Sequence, residues 1–126
     1  MTGFLLALAV AGAGGMGAAS RLIVDGFVKS RVTIPFPLGT TIINISGSFL
    51  LGLVTGLATS ALLAPEWRAV IGVGLLGGYT TFSTASFETV RLTQEGRYRA
   101  AAVNSVGMLA GALLAAGLGL WIGWLV

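Results

Sequence analysis

Four long stretches of the chain contain no Asp, Glu, Lys or Arg, and this pattern constrains the fold more than any other feature of the sequence. They cover residues 1–20, 38–65, 69–87 and 100–126. Each approaches or exceeds the ~20 residues that an α-helix needs to cross a hydrocarbon core of about 30 Å. Only 9% of the residues are charged, so too little polar surface remains for a domain outside the bilayer. The sequence therefore predicts an all-α integral membrane protein.

The connections between these stretches divide the chain into four transmembrane helices. Pro35 and Pro37 favour an extended first connection and suit the start of the second helix. Glu95 and Gly96 mark the turn in the third connection. Because no change in composition suggests a domain boundary, residues 1–126 are expected to form one domain. We expect its helices at about residues 3–24, 38–61, 66–91 and 98–125.

Glycines recur at a spacing that favours close helix packing. Pairs that lie four residues apart include Gly52 and Gly56, Gly107 and Gly111, and Gly119 and Gly123. Small residues at this spacing form a flat helix face that another backbone can approach. Four short helices are also too few to enclose a polar path alone. We therefore expect tight packing that includes self-association, as a dimer or a larger assembly.

The cations are distributed unequally between the two ends of the predicted helices. The first and third connections share one face and contain Arg21, Lys29, Arg31, Arg91, Arg97 and Arg99. The second connection, on the face of both termini, contains Arg68 alone. Because cytoplasmic loops are enriched in Lys and Arg, the first and third connections are predicted to be cytoplasmic. Both termini are then outside.

The composition also excludes several classes of function. The chain contains neither His nor Cys, which removes the commonest general base, the commonest metal ligand and the best nucleophile. An enzyme is therefore not expected. No basic patch with interleaved aromatic residues suggests nucleic-acid binding. Residues 72–77, GVGLLG, match a dinucleotide-binding pattern, but that motif requires a strand and a soluble βαβ unit.

Residues 77–88, GGYTTFSTASFE, are unusual for the middle of a membrane helix. Two glycines precede five hydroxyl side chains: Thr80, Thr81, Ser83, Thr84 and Ser86. Each glycine costs a helix roughly 1 kcal/mol relative to Ala. We predict a break in the third helix at Gly77 and Gly78, where freed carbonyls would suit a cation and freed N–H groups an anion. The alternative is that the hydroxyls bond back to their own helix.

Polar side chains at membrane depth leave further alternatives open. Asn44 either forms an interhelical hydrogen bond or lines a polar path as a donor. Arg21 ends the predicted first helix, and Glu88 lies toward the same end of the third. A charged side chain at membrane depth normally pairs with an opposite charge or lines a water-filled cavity. We expect either an Arg21–Glu88 pair or a role for Arg21 in attracting anions into a vestibule.

Together these motifs resemble the Fluc (CrcB) family of fluoride channels over nearly the whole chain. The resemblance is carried by the glycine-rich first helix ending in Arg21, by PLGTTIINISGSFLLG at 37–52, and by GLLGGYTTFST at 74–84. It implies an antiparallel dual-pore dimer of four-helix subunits. Such a dimer would pass fluoride passively out of the cytoplasm across the cell (inner or plasma) membrane.

The resemblance also implies the roles of particular residues. A structural sodium ion at the dimer interface would be held by the backbone carbonyls of Gly77 and Thr80. Phe82 would present its electropositive ring edge to fluoride. Further members of the ion pathway would be Asn44, Thr81, Ser83, Asn104 and Arg21.

The chain departs from the family pattern in ways that point in one direction. The family has a second phenylalanine three residues after the first, where this chain has Ala85, and Phe87 lies at the wrong spacing to replace it. Met108 and Ala112 stand where polar side chains are expected. Homodimeric members also show little charge bias. We therefore hypothesise one half of a heterodimer whose oppositely oriented partner supplies the missing groups.

Two other functions remain as alternatives. A small antiparallel four-helix cation or drug exporter would need a membrane-embedded carboxylate in the first helix, and the expected span 3–24 has none. A non-conducting partner subunit would not need the glycines and hydroxyls of residues 77–88. The absence of acidic residues from the central spans favours an anion route over a cation route.

Overall fold

The computed structural model describes residues 2–126 and places most of them in helices. Its helices are α1 (Gly3–Arg31), α2 (Leu38–Thr59), α3 (residues 65–79), α4 (Phe82–Gln94) and α5 (Tyr98–Leu125). Three of them, α1, α2 and α5, are long and apolar enough to cross a membrane. The expectation of an all-α membrane protein is confirmed at this level.

The predicted end of the first helix near residue 24 was wrong, because α1 continues to Arg31. No proline interrupts the chain before Pro35, and the last turns of α1 contain a Lys29–Asp25 ion pair of 2.8 Å at the favourable i,i+4 spacing. Lys29 and Arg31 also lie at the negative end of the helix dipole. Arg21 therefore lies within the helix and not at its end.

Helices α1 and α3 run parallel, and glycines bring their backbones together. A Cβ on Gly17 would overlap the carbonyl oxygen of Leu75, and one on Gly78 would overlap the carbonyl oxygen of Gly14. Residues 68–76 of α3 form i→i+5 hydrogen bonds and are locally under-wound. The α1–α3 pair forms one half of the helix packing.

The other half is formed by α2 and α5, which also run parallel to each other. A Cβ on Gly52 would overlap the carbonyl oxygen of Ala116, and one on Gly119 would overlap that of Phe49. The GxxxG spacings at 52–56 and 119–123 therefore serve packing within the chain, and the prediction of tight packing is confirmed for these two. Their predicted part in self-association stays a prediction.

The third predicted helix, 66–91, is interrupted as expected, but at a different place. Gly77 and Gly78 are helical, with φ −63° and ψ −39° at Gly77. The break lies at Thr80 (φ −78°, ψ 157°) and Thr81 (φ −145°, ψ 117°), which are extended. Gly78 is needed for contact with α1 and so allows packing instead of breaking the helix, whereas a Cβ on Gly77 would meet only the Gly72 carbonyl oxygen at 3.9 Å.

Candidate functional site

The break between α3 and α4 is stabilised by the two threonines that form it. The Thr80 hydroxyl donates to the Leu76 carbonyl at 3.0 Å and so closes the last turn of α3. The Thr81 hydroxyl oxygen accepts from the Thr84 N–H at 3.1 Å and caps the first turn of α4. One member of the hydroxyl run thus bonds back to its own helix and another caps the next.

Asn44 of α2 bridges the break by pairing with the backbone of a single residue. Its Oδ1 accepts from the Thr81 N–H at 2.8 Å, and its Nδ2 donates to the Thr81 carbonyl at 2.9 Å. Because Thr81 offers one donor and one acceptor, this pairing fixes which way the amide points. The second N–H of Nδ2 contacts Met108 Sδ at 3.2 Å. Of the two alternatives for Asn44, the interhelical hydrogen bond is formed, and a role as a pathway donor stays a prediction.

The last four backbone carbonyls before the break, those of Gly77, Gly78, Tyr79 and Thr80, lose the donors that a continuous helix would give them. The Thr81 N–H would donate to Gly77 in a continuous helix, but here it donates to Asn44. The Thr84 N–H would similarly donate to Thr80, but it donates to the Thr81 hydroxyl. Two of these four carbonyls, those of Gly77 and Thr80, are the ones that the sequence resemblance assigned to a cation.

A groove of about 730 Å³ runs over this break and is lined by α2, α3, α4 and α5. Six of the predicted site residues line it: Asn44, Gly77, Thr80, Thr81, Phe82 and Asn104. None of the lining residues in the part of the chain that the structure describes carries a charge. Phe82 is 87% exposed and is the one aromatic residue of this lining.

Two predicted pathway residues, Arg21 and Ser83, do not line the groove. Arg21 is part-buried on α1, and Ser83 is exposed on the first turn of α4. Among residues 2–126 the ion pairs are Lys29–Asp25 and Arg91–Glu95, so the Arg21–Glu88 pair that we considered is not formed. Instead, Oε1 of Glu88 is buried without a hydrogen-bond partner among the described residues.

Asn104 is 1% exposed and connects α5 to α4. Its Nδ2 donates to the Ala85 carbonyl at 3.2 Å and to the Thr89 hydroxyl at 3.0 Å. Its Oδ1 is buried with no hydrogen-bond partner within residues 2–126. Asn104 lies in the stretch Val103–Gly107, where α5 is locally under-wound with i→i+5 hydrogen bonds, a feature frequent at functional sites.

The structure also adds residues that the sequence reasoning missed. Ser48 and Ser86 line the groove, and their hydroxyls form no hydrogen bond to any described residue. Ser48 lies four residues after Asn44 and so shares its helix face, a signal that the sequence did contain. The three residues that depart from the family pattern, Ala85, Met108 and Ala112, line the same groove.

Comparison with known proteins places this architecture in one family. A sequence model of the CrcB-like protein, Camphor Resistance (CrcB), family matches residues 8–120. The chain belongs to the CrcB family. The matched residues extend from α1 into α5.

Curated relatives align with this chain over most of its length. "Fluoride-specific ion channel FluC 1" of Leifsonia xyli subsp. xyli is 62% identical over 121 residues, 96% of this chain and 88% of the relative. "Fluoride-specific ion channel FluC 2" of Cutibacterium acnes is 45% identical over 88% of this chain and 91% of the relative. "Fluoride-specific ion channel FluC 1" of Streptomyces avermitilis is 42% identical over 90% of this chain and 91% of the relative.

Membership of the CrcB family places the chain with channels and not with enzymes or exporters. The resemblance inferred from the motifs is confirmed. The protein is a multi-pass membrane protein of a channel family, and neither an enzyme nor an exporter is supported.

Proposed function

We propose that this chain forms a fluoride-selective channel that lets fluoride leave the cytoplasm passively. The observation that carries the proposal is the 62% identity to a fluoride-specific ion channel over nearly the whole chain. The groove over the break supports it independently, because its polar lining consists of hydroxyls and amides without carboxylates. Such a lining favours an anion over a cation.

The ion route that we propose follows the donors along the groove. The hydroxyls of Ser48, Thr81 and Ser86 donate to no other described residue, so their hydrogens can replace part of the hydration shell of an anion. The exposed ring of Phe82 adds an electropositive edge beside them. Several weak contacts in series suit conduction, because an ion must be able both to enter and to leave.

In this proposal the chain crosses the membrane four times as a single domain of residues 1–126. Helices α3 and α4 together form the third crossing, since each alone is shorter than the other spans. The extended backbone at Thr80 and Thr81 is then at membrane depth, where the Asn44 amide supplies the hydrogen bonds that water cannot. Both termini lie outside, and the basic ends of α1, α4 and α5 lie in the cytoplasm of a cell whose inner or plasma membrane contains the protein.

The functional unit that we propose is a dimer with an oppositely oriented homologous subunit. Phe82 is a large apolar side chain left 87% exposed beside the open groove, which supports a second subunit covering it. Ala85, Met108 and Ala112 make the groove poorer in aromatic and polar groups than the family pattern. They support a heterodimer in which the partner completes the pathway.

A structural sodium ion at this interface is part of the same proposal. The carbonyls of Gly77 and Thr80 have lost their helical donors, and backbone carbonyl oxygens suit a hard cation. One chain would contribute these two oxygens to the ion, and an antiparallel partner would bring two more. The sodium ion would neutralise carbonyl dipoles at the break and hold the two subunits in register.

Fluoride efflux from liposomes that contain this purified chain alone tests the proposal, with chloride as the control ion. Fast efflux that selects fluoride over chloride is the expected result if the chain forms both halves of the dimer. No efflux either alone or after co-reconstitution with a homologous chain from the same cell would contradict a channel function. Efflux only in the second case would identify the heterodimer.

A further inference from the structure

In the groove, the side chain of Met108 contacts the side-chain amide of Asn44. Met108 Sδ lies 3.2 Å from Asn44 Nδ2, and Met108 is 6% exposed. Its neighbours on the same face of α5 include Asn104 and Ala112, which also line the groove. Met108 therefore lies inside the proposed pathway and in contact with a polar group.

The amide of Asn44 has two N–H groups, and both are engaged. One donates to the Thr81 carbonyl at 2.9 Å, and the other points at Met108 Sδ. The Thr81 contact is half of a two-point pairing with the backbone of the break, so releasing it would free a backbone carbonyl as well. A thioether sulfur is only a weak acceptor. The contact with Met108 is thus the one that an incoming ligand can displace.

We propose that Met108 is a displaceable cap on Asn44 that sets how tightly the groove takes an anion. This inference rests on the proposed fluoride pathway. An anion that reaches Asn44 exchanges a neutral N–H···S contact for a charge-assisted N–H···anion bond, which is the stronger of the two. The unbranched methionine side chain has the rotatable bonds to move aside. Met108 acts through Asn44 and is a positioning residue.

A cap of this kind makes a specific prediction about fluoride affinity. Because sulfur and fluoride compete for the same N–H, removing the acceptor while keeping the volume lowers the half-saturating fluoride concentration. Leucine in Met108→Leu and norleucine, which replaces the sulfur by a methylene group, both lack the acceptor. The expected decrease is about two- to tenfold, the range that corresponds to one modest hydrogen bond.

The side-chain amide of Asn44 can report this competition directly. The chain contains two asparagines, Asn44 and Asn104, so selective ¹⁵N labelling of asparagine gives two side-chain NH₂ signals. The experiment titrates the full-length protein in micelles with sodium fluoride, replacing sodium chloride at constant sodium. The Asn104 signal serves as the internal reference. Met16→Leu, at a methionine that is 68% exposed on α1, is the matched control.

We expect the Asn44 signal to titrate with fluoride, with a lower half-saturating concentration in Met108→Leu than in the wild type and in Met16→Leu. Norleucine incorporated into the Met16→Leu protein should give the same decrease. An unchanged midpoint in both substitutions would overturn the proposal, as would a change with leucine but not with norleucine, since that effect would arise from shape. An Asn44 signal that does not respond to fluoride would also overturn it. Liposome efflux, measured separately, decides the channel function itself.

Discussion

At the scale of single residues, the two-point pairing of Asn44 with Thr81 makes the break in the third span possible. In Asn44→Asp the carboxylate still accepts from the Thr81 N–H, but it cannot donate to the Thr81 carbonyl and places an oxygen against it. We expect the free energy of unfolding to fall by about 1–3 kcal/mol, the cost of leaving a buried polar group unpaired. Thermal unfolding in detergent measures it.

A matched change at an exposed amide separates this effect from the loss of an amide as such. Gln94 is exposed at the end of α4, and Gln94→Glu should stay within about 0.5 kcal/mol of the wild type. Equal losses in the two variants would show that the Asn44 bridge does not hold the break.

The neighbouring glycines of the third span offer a second test at this scale. Gly78→Ala places a Cβ on the Gly14 carbonyl, whereas the nearest atom to a Cβ on Gly77 is the Gly72 carbonyl oxygen at 3.9 Å. We expect Gly78→Ala to separate α1 from α3 and to lower the unfolding temperature. Gly77→Ala should be neutral or slightly stabilising, because Gly77 is helical and Ala favours helices by about 1 kcal/mol. Thermal unfolding of the two proteins side by side decides; a reversed order would refute the packing role of Gly78.

At the scale of elements, α2 and α4 end in the same motif with different residues. The Leu62 N–H donates to Leu57 at 3.0 Å, and the Arg97 N–H donates to Leu92 at 2.9 Å. The residue before each donor is left-handed, with φ 61° at Ala61 and φ 75° at Gly96. This ending normally takes glycine, because a Cβ strains the left-handed conformation.

Exchanging the two residue types should therefore change stability in opposite directions. We expect Ala61→Gly to raise the free energy of unfolding by about 1 kcal/mol and Gly96→Ala to lower it by a similar amount. A Cβ on Gly96 meets no atom within 4 Å, so the loss would come from the backbone and not from a clash. The unfolding midpoints in detergent measure both changes, and shifts of the same sign would contradict the argument.

At the scale of the whole molecule, the distribution of cations predicts the orientation in the membrane. The chain contains no cysteine, so a single introduced thiol can be labelled without background. Ala64→Cys, between α2 and α3, should react with an impermeant maleimide in intact cells. Gln94→Cys, at the end of α4, should react only after the membrane is opened. Labelling of both positions in intact cells would indicate insertion in both orientations and would argue against the fixed orientation expected of a heterodimer half.

The sequence by itself determined the membrane character and the family, and six of the eight site residues that it predicted line the groove. Long uncharged stretches indicate burial in lipid. The motif GGYTTFST contains glycine, threonine and phenylalanine residues that line the groove. The sequence could not locate the break, because glycine lowers helix stability and also permits close packing, and only the contact between Gly78 and Gly14 decided between these roles. It misplaced the end of α1 because a local ion pair between Lys29 and Asp25 extends that helix through a polar segment.

Only the tertiary structure decided how Asn44 is used. Its partners, Thr81 and Met108, lie 37 and 64 residues away along the chain, so no local pattern contains them. The same holds for Arg21 and Glu88, whose positions suggested an ion pair that the packing of α1 and α4 does not form. Spacing along one helix fixes which side chains share a face, but which faces meet depends on how the helices pack.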